Sequence, residues 1–358
     1  MKLLALGSSL VSLALAASRK TAPKGALIVG QNQNFTTISA AVAALSNTTT
    51  SEQLIFINPG TYAEQVYIPK LSGPLTVQGY TTDDSKYAKN QVTIVASESQ
   101  KTKPNNDLTG TLRVWTSDFK LYNVNVKNAF GEGSQAIAVS AQAGVSFPSH
   151  HIDKINKPKC IFRAIPLTTN PKQQRQGYYA CALYGYQDTL LSNLGTQLYA
   201  KTYIEGATDF IFGQRAQAWF ENCDIGVVKA ATGWITASGR SSNDSGWYVI
   251  NKSRVAAAPG NVVGDGVYYL GRPWRNFARV VFQNTELSKV VNSAGWAIWN
   301  VGDDRTNETY FGEFANRGPG AQGQRASFAK KIGSPIAIET VLGADYATAK
   351  YVDRKYLK

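Results

Sequence analysis

The chain has 358 residues, of which 43% are apolar and 17% charged, with a formal net charge of +13. That is the composition of a folded globular chain and excludes an intrinsically disordered one. Three cysteines exclude a disulfide-built scaffold, and the two histidines, His150 and His151, exclude a His-rich metal site and confine any histidine-based mechanism to one short segment.

In chain order, Lys2 precedes an apolar run over residues 3–16 that ends in Ala14-Leu15-Ala16. The run is too short to span a bilayer and has a small-x-small cleavage pattern, so residues 1–16 read as a secretory signal and the mature chain as a secreted, extracellular protein. Five N-x-S/T triplets, at Asn34, Asn47, Asn243, Asn251 and Asn307, fit a secretory route. Residues 37–45 read as one short amphipathic helix, with Ile38, Ala41, Val42 and Leu45 on one face. Short β-rich runs follow at 53–58, 64–69, 75–80, 92–96, 112–115, 120–126, 136–140 and 178–184, punctuated by Gly, Asn, Asp and Pro. From about Gly312 the rhythm fades: 316–324 is loop-like, and 328–336 and 340–347 are short helices or strands expected to close the end of the fold.

So many short strands admit a sandwich, a barrel or a solenoid. A recurring small-x-aliphatic unit favours the last: Thr202-Tyr203-Ile204, Cys223-Asp224-Ile225, Ser253-Arg254-Val255 and Thr285-Glu286-Leu287, spaced by 21, 30 and 32 residues. Irregular intervals of this size suit a solenoid whose coils keep their strands and vary their loops.

Three segments carry candidate chemistry: Gly185-Tyr186-Gln187-Asp188-Thr189-Leu190, Glu205-Gly206-Ala207-Thr208-Asp209-Phe210-Ile211-Phe212-Gly213 and Leu270-Gly271-Arg272-Pro273-Trp274. Asp188 and Asp209 are 21 residues apart, one short coil, which would set the two carboxyls about 5 Å apart on adjacent rungs. Like charges that close do not both ionise, so one carboxyl keeps its proton. An ionised carboxylate can attack an acyl carbon, and a protonated one can give its proton to a departing alcohol and then deprotonate water. Arg272 would hold the nucleophile ionised by paired hydrogen bonds, and the amides of Gln187 and Gln135 could stabilise an oxyanion. Each of these residues alone would more often be structural; their combination at this spacing points to ester hydrolysis without histidine.

Together with Gly60-Thr61-Tyr62-Ala63-Glu64 and Gly295-Trp296, these segments resemble the signatures of the pectin methylesterases (pectinesterases), most closely the secreted fungal members, over nearly the whole mature chain. The resemblance implies an all-β, right-handed parallel β-helix with long loops on one face, in one domain over residues 17–358. It implies Asp188 as general acid/base, Asp209 as nucleophile, Arg272 as its positioner, Gln135 and Gln187 as the oxyanion hole, and Tyr186, Phe210, Trp274 and Trp296 as the sugar groove. It implies no metal or organic cofactor, methyl-esterified homogalacturonan as substrate, no nucleic-acid or membrane partner, and a monomer. Glu64 reads as structural or groove-edge.

The chain departs from the family over about 28 residues, roughly 144–173, which hold both histidines, Cys160, four prolines and much of the basic charge. The segment reads either as a basic loop gripping pectate or as a translated intron; by the repeat spacing it is an excursion, not an added coil. Cys181 and Cys223 are 42 residues apart, two coils, too far for a disulfide, and are expected to be buried thiols. The rival readings are a pectate lyase, a polygalacturonase, a serine esterase and a non-catalytic wall-binding β-helix. The lyase and polygalacturonase lack their signatures, the serine esterase lacks Gly-x-Ser-x-Gly, and a wall-binding protein has no need of two Asp, an Arg and two Gln together.

Overall fold

The computed structural model describes residues 17–142 and 174–358. The expected signal (1–16) and the family-atypical segment (144–173), with His150, His151 and Cys160, lie outside the described residues.

Among the described residues the strands form three parallel sheets of eleven, eight and seven members, and each full coil gives one strand to each sheet in turn. One coil runs Arg175–Tyr179, Ala182–Tyr184 and Leu190–Ser192; the next runs Thr196–Ala200, Tyr203–Gly206 and Thr208–Gly213. Tyr178 pairs with Tyr199, Ala182 with Tyr203 and Leu190 with Ile211, so the second coil repeats the first 21 residues on. This is the expected parallel β-helix. The strands on either side of the 143–173 segment also pair directly, Leu121 with Tyr178 and Asn125 with Ala182, so no coil is added between them.

The recurring unit marks the corner between the eleven- and eight-stranded sheets. Before each unit one residue takes the left-handed conformation: Lys201 (φ 52°), Asn222 (φ 51°), Lys252 (φ 48°) and Asn284 (φ 52°). That residue turns the chain sharply, and the small residue after it faces inward. Its polar atom then adds a second hydrogen bond to the backbone carbonyl two residues back, which already accepts an N–H from the previous rung, as Thr202 Oγ1 does to Ala200 at 3.2 Å, Ser253 Oγ to Asn251 at 2.9 Å and Thr285 Oγ1 to Gln283 at 2.9 Å. Cys181 and Cys223 occupy the same row with Thr202 between them. Both are buried free thiols, and burial pushes the Cys181 thiol up to about 12. The same corner corrects two expected strands. Runs 120–126 and 178–184 are each split, at Asn123 (φ 54°) and Ala180 (φ 47°).

Inside the coil, aromatic rings stack rung on rung. Tyr178 lies 4.8 Å from Tyr199, and Tyr199 lies 4.7 Å from Phe220, in nearly parallel planes. Such pairs add about 0.5–1.5 kcal/mol each beyond their burial. Helix Ile38–Ala43 begins where Thr37 accepts a hydrogen bond from the Ala40 N–H, and it buries Ile38, Ala41 and Val42. Glu64 accepts from the free N–H groups of Ile38 and Ser39 at 2.8 and 2.9 Å, so its role is to cap this helix. At the other end, strand Ala329–Lys331 extends the eleven-stranded sheet, but helix Ile338–Leu342 and the turns beyond it do not close the coil. They lie along the outer face of that sheet, where Val341, Leu342, Tyr351 and Tyr356 cover Tyr122, Tyr179, Leu198 and Trp219.

Candidate active site

The seven-stranded sheet carries the three chemistry-bearing segments on its outer face. Asp188 sits just ahead of strand Leu190–Ser192, and Asp209 in strand Thr208–Gly213. Gln187 pairs with Thr208, and the Asp188 N–H donates to the Thr208 carbonyl at 3.0 Å, so the two aspartates lie on adjacent rungs. Both take the left-handed conformation, Asp188 at φ 63° and Asp209 at φ 51°. Asp is among the few residues that tolerate it. On the previous rung the Ala136 N–H donates to the Gln187 carbonyl at 3.2 Å, which brings Gln135 alongside.

Strand Tyr268–Pro273 lies two rungs beyond Asp209 and delivers Arg272. Its Nε and Nη2 donate to the two carboxylate oxygens of Asp209 at 2.9 and 2.8 Å. This two-pronged geometry matches the planar guanidinium to a carboxylate and favours the ionised form of Asp209. The guanidinium is itself held between two rings, 3.8 Å from the Trp234 centroid and 4.4 Å from that of Trp299.

Asp188 has no such partner. Burial, then the neighbouring Asp209 charge, pushes its carboxyl well above the usual range, against the pull of Arg272 and of the Gln187 amide. Burial also raises Asp209, but the Arg272 hydrogen bonds and charge pull it back. The surroundings therefore favour the charge on Asp209, beside Arg272, and the proton on Asp188.

Of the expected groove aromatics, Tyr186 and Trp274 are partly exposed. Trp274 packs on Phe212 with centroids 6.0 Å apart, over a glycine that makes room for it: a Cβ on Gly239 would lie 2.4 Å from the Trp274 ring. Phe210 and Trp296 are corrections. They are 0% and 1% exposed. Trp296 stacks on Phe311 at 4.4 Å inside the coil, and its indole N–H bonds Glu313. Phe210 turns inward because the register shifts between Thr208 and Ile211. This bulge at Asp209 sends both Phe210 and Ile211 into the core and brings Phe212 out instead. Sequence reading also missed Trp234, Trp299 and Asn106, whose amide donates to Asp188 Oδ2 at 3.4 Å from a short helix 82 residues away in sequence. None of the three had a local signal. Asn251 leaves the set of expected glycan acceptors, because it is buried and its amide bonds Glu221 at 2.7 Å. Among the described residues no group of three or more His, Cys, Asp or Glu side chains is placed to hold a metal ion.

Comparison with known proteins gives one answer. A family model described as Pectinesterase matches residues 27–152 and 164–354. A pectinesterase from Aspergillus niger and one from Aspergillus aculeatus are each 46% identical over 348 residues, covering 96% of both chains in each case. A crystal structure of the pectin methylesterase from Aspergillus niger in deglycosylated form superposes with a TM-score of 0.81 at 37% identity, covering 95% of this chain and all of that one.

Proposed function

The chain belongs to the pectinesterase family and hydrolyses the methyl esters of pectin, and we propose that it does so by a covalent two-aspartate route. Ionised Asp209 attacks the carbonyl carbon of a methyl-esterified galacturonate residue. The side-chain amides of Gln135 and Gln187 donate to the oxygen that becomes negative. As the tetrahedral intermediate collapses, the ester C–O bond breaks and Asp188 gives its proton to the departing methoxide, so methanol leaves and Asp209 is acylated. Asp188, now a carboxylate, takes a proton from water. The hydroxide attacks the acyl carbon, Asp209 departs as the anion it was, and a pectate carboxyl is released. Arg272 holds Asp209 in line for attack and receives it back as a charge. Tyr186 and Trp274 offer ring faces to the C–H faces of the sugars on either side, and the buried Phe212 backs Trp274.

The observation that carries this reading is the two-pronged Arg272–Asp209 pair one rung from the buried Asp188 carboxyl, which burial and the Asp209 charge raise above the usual range. The route has no step for a metal or organic cofactor. We also propose that the protein acts outside the cell as a monomer, on pectin and not on nucleic acid or membrane. The apolar run over residues 3–16 and the similarity to fungal pectinesterases support this. Methanol release from methylated pectin tests the reading, with mass spectrometry of the enzyme quenched during turnover. An acyl adduct on the peptide holding Asp209 is the expected result; wild-type activity in both Asp209→Ala and Asp188→Ala would overturn it.

A further inference from the structure

The outward side chains of the seven-stranded sheet form one continuous row that runs well past the site. Tyr67 pairs with Arg113, Arg113 with Ser140, Ser140 with Leu191 and Leu191 with Phe212. At about 4.8 Å per rung, Tyr67 stands about 19 Å from Phe212 along the same face.

At that far end the sheet carries an aromatic group that no core uses. Tyr67 is 44% exposed, between the buried residues Val66 and Ile68. Its ring meets Trp115 edge-on, with centroids 6.4 Å apart, and the Arg113 guanidinium lies 4.7 Å from its centroid. Asp107 fixes this group in place. Its carboxylate accepts from Arg113 Nε and Nη2 at 3.0 and 2.6 Å, from Trp115 Nε1 at 3.2 Å and from Ser140 Oγ at 2.7 Å. A lone surface tyrosine samples its rotamers freely; this one is backed by a cation that is itself anchored. A ring held still with part of its surface open to solvent suits the C–H face of a sugar, because little side-chain freedom is lost on binding.

We propose that Tyr67, with Trp115 and Arg113 behind it, is a remote subsite that holds a galacturonate residue of the same pectin chain whose ester is being cleaved at Asp209. The identity of the polymer rests on the pectinesterase reading; the subsite itself rests on the row and on the anchored ring. The subsite lies several sugars from the reacting ester, so it acts on long chains only.

The test compares wild type with Tyr67→Ala and Tyr67→Phe on polymeric methylated pectin and on a methylated trigalacturonate, with retardation in pectin-containing native gels as a readout independent of turnover. The expected result is an about five-fold rise in KM on the polymer for Tyr67→Ala, with kcat little changed. Kinetics on the trimer stay the same, gel retardation weakens, and Tyr67→Phe restores both. An unchanged KM and retardation on the polymer, or an equal rise on polymer and trimer, overturns the subsite. If wild type releases no methanol, the pectinesterase reading fails instead, and gel retardation alone decides whether Tyr67 binds the polymer.

Discussion

The same coils build two outer faces that meet opposite fates. On the eleven-stranded sheet the outward face is largely apolar, with Tyr122 and Tyr179 in one row and Leu198, Trp219, Val249 and Val281 in the next, beside the polar run Glu221, Asn251 and Gln283, and the C-terminal segment seals it with Val341, Leu342, Tyr351 and Tyr356. Polar ties hold that cover down. Gln283 exchanges two hydrogen bonds with the Ile336 backbone at 2.8 and 3.0 Å, and Lys355 meets the buried Asp84 carboxylate at 2.7 Å. On the seven-stranded sheet the outward positions hold carboxyls, amides, guanidinium groups and rings around a small apolar cluster of Ile137, Leu191, Phe212 and Ala237; the short helix Asn106–Thr109 touches Asp188 and Ser140, and Tyr67, Tyr186 and Trp274 stay partly open to solvent. The interior is satisfied by stacked rings and hydroxyls whichever way the outer faces are filled. The scaffold's stability therefore leaves the outer rows free: an apolar row calls for a lid, and a polar row with partnered charges can stay open and do chemistry.

If that division holds, changes on the open face should remove activity and spare the fold, and changes under the lid should do the reverse. The largest effect is expected from Asp209→Asn, which takes away the attacking oxygen. It should lower kcat by at least ~10⁴-fold while circular dichroism stays that of the wild type. Loss of folded signal instead would mean that the Asp209–Arg272 pair is part of the frame.

Asp188→Asn should lower kcat by about 10³-fold through loss of the proton donor. It also makes a signed prediction about stability. The Asp188 carboxyl is raised in the folded state, so its contribution is fully present below the ordinary carboxylate range near 4 and is lost as pH rises through the raised folded value. The Asn variant has no such loss. Its melting temperature should match wild type more closely in acid and exceed it at neutral pH by roughly 2 °C, as read by scanning calorimetry across pH. In the wild type the same raised value sets the alkaline fall of kcat/KM, because the acid must be protonated for methanol to leave. A gap in melting temperature that narrows toward neutral pH would contradict the burial-driven shift.

Under the lid, Tyr356→Ala removes a buried ring that packs on Tyr179 with centroids 5.0 Å apart and donates to the Asp84 carbonyl at 2.8 Å. It should cost about 3 kcal/mol in urea unfolding and leave kcat/KM within twofold at temperatures where the variant is folded. A large drop in kcat would couple the two faces and break the division.

The sequence exposes those parts of this molecule that the coil repeats. The small-x-aliphatic unit is visible because every corner needs a left-handed residue followed by a small inward one, and the 21-residue step from Asp188 to Asp209 is visible because it equals one coil. Two kinds of feature stay hidden. The first is local irregularity. The bulge at Asp209 breaks the alternation that would assign Phe210, Ile211 and Phe212 to faces, and Asn123 and Ala180 split strands that read as continuous. The second is contact across long loops, where no spacing rule applies. Asn106 reaches Asp188 and Trp299 reaches Arg272 from segments whose lengths vary from coil to coil; Trp234 reaches Arg272 from the neighbouring strand Gly233–Ser238.

The hidden contacts on Arg272 give the smallest expected effect and the finest test of the open face. Arg272 crosses two rungs to reach Asp209, and a long side chain making that crossing loses rotamer freedom that the two hydrogen bonds alone must offset. With its plane between the Trp234 and Trp299 rings, most of that freedom is already gone before substrate binds, and the rings' negative faces favour the guanidinium charge. Trp234→Leu keeps the bulk on one side and removes the π face. It should lower kcat about five-fold and leave KM on a short methylated substrate nearly unchanged, because the ring acts on Arg272 and not on the sugar. Trp234→Phe should recover most of the loss. A rise in KM with kcat intact would make Trp234 part of the sugar groove, and no change in either would reduce it to packing.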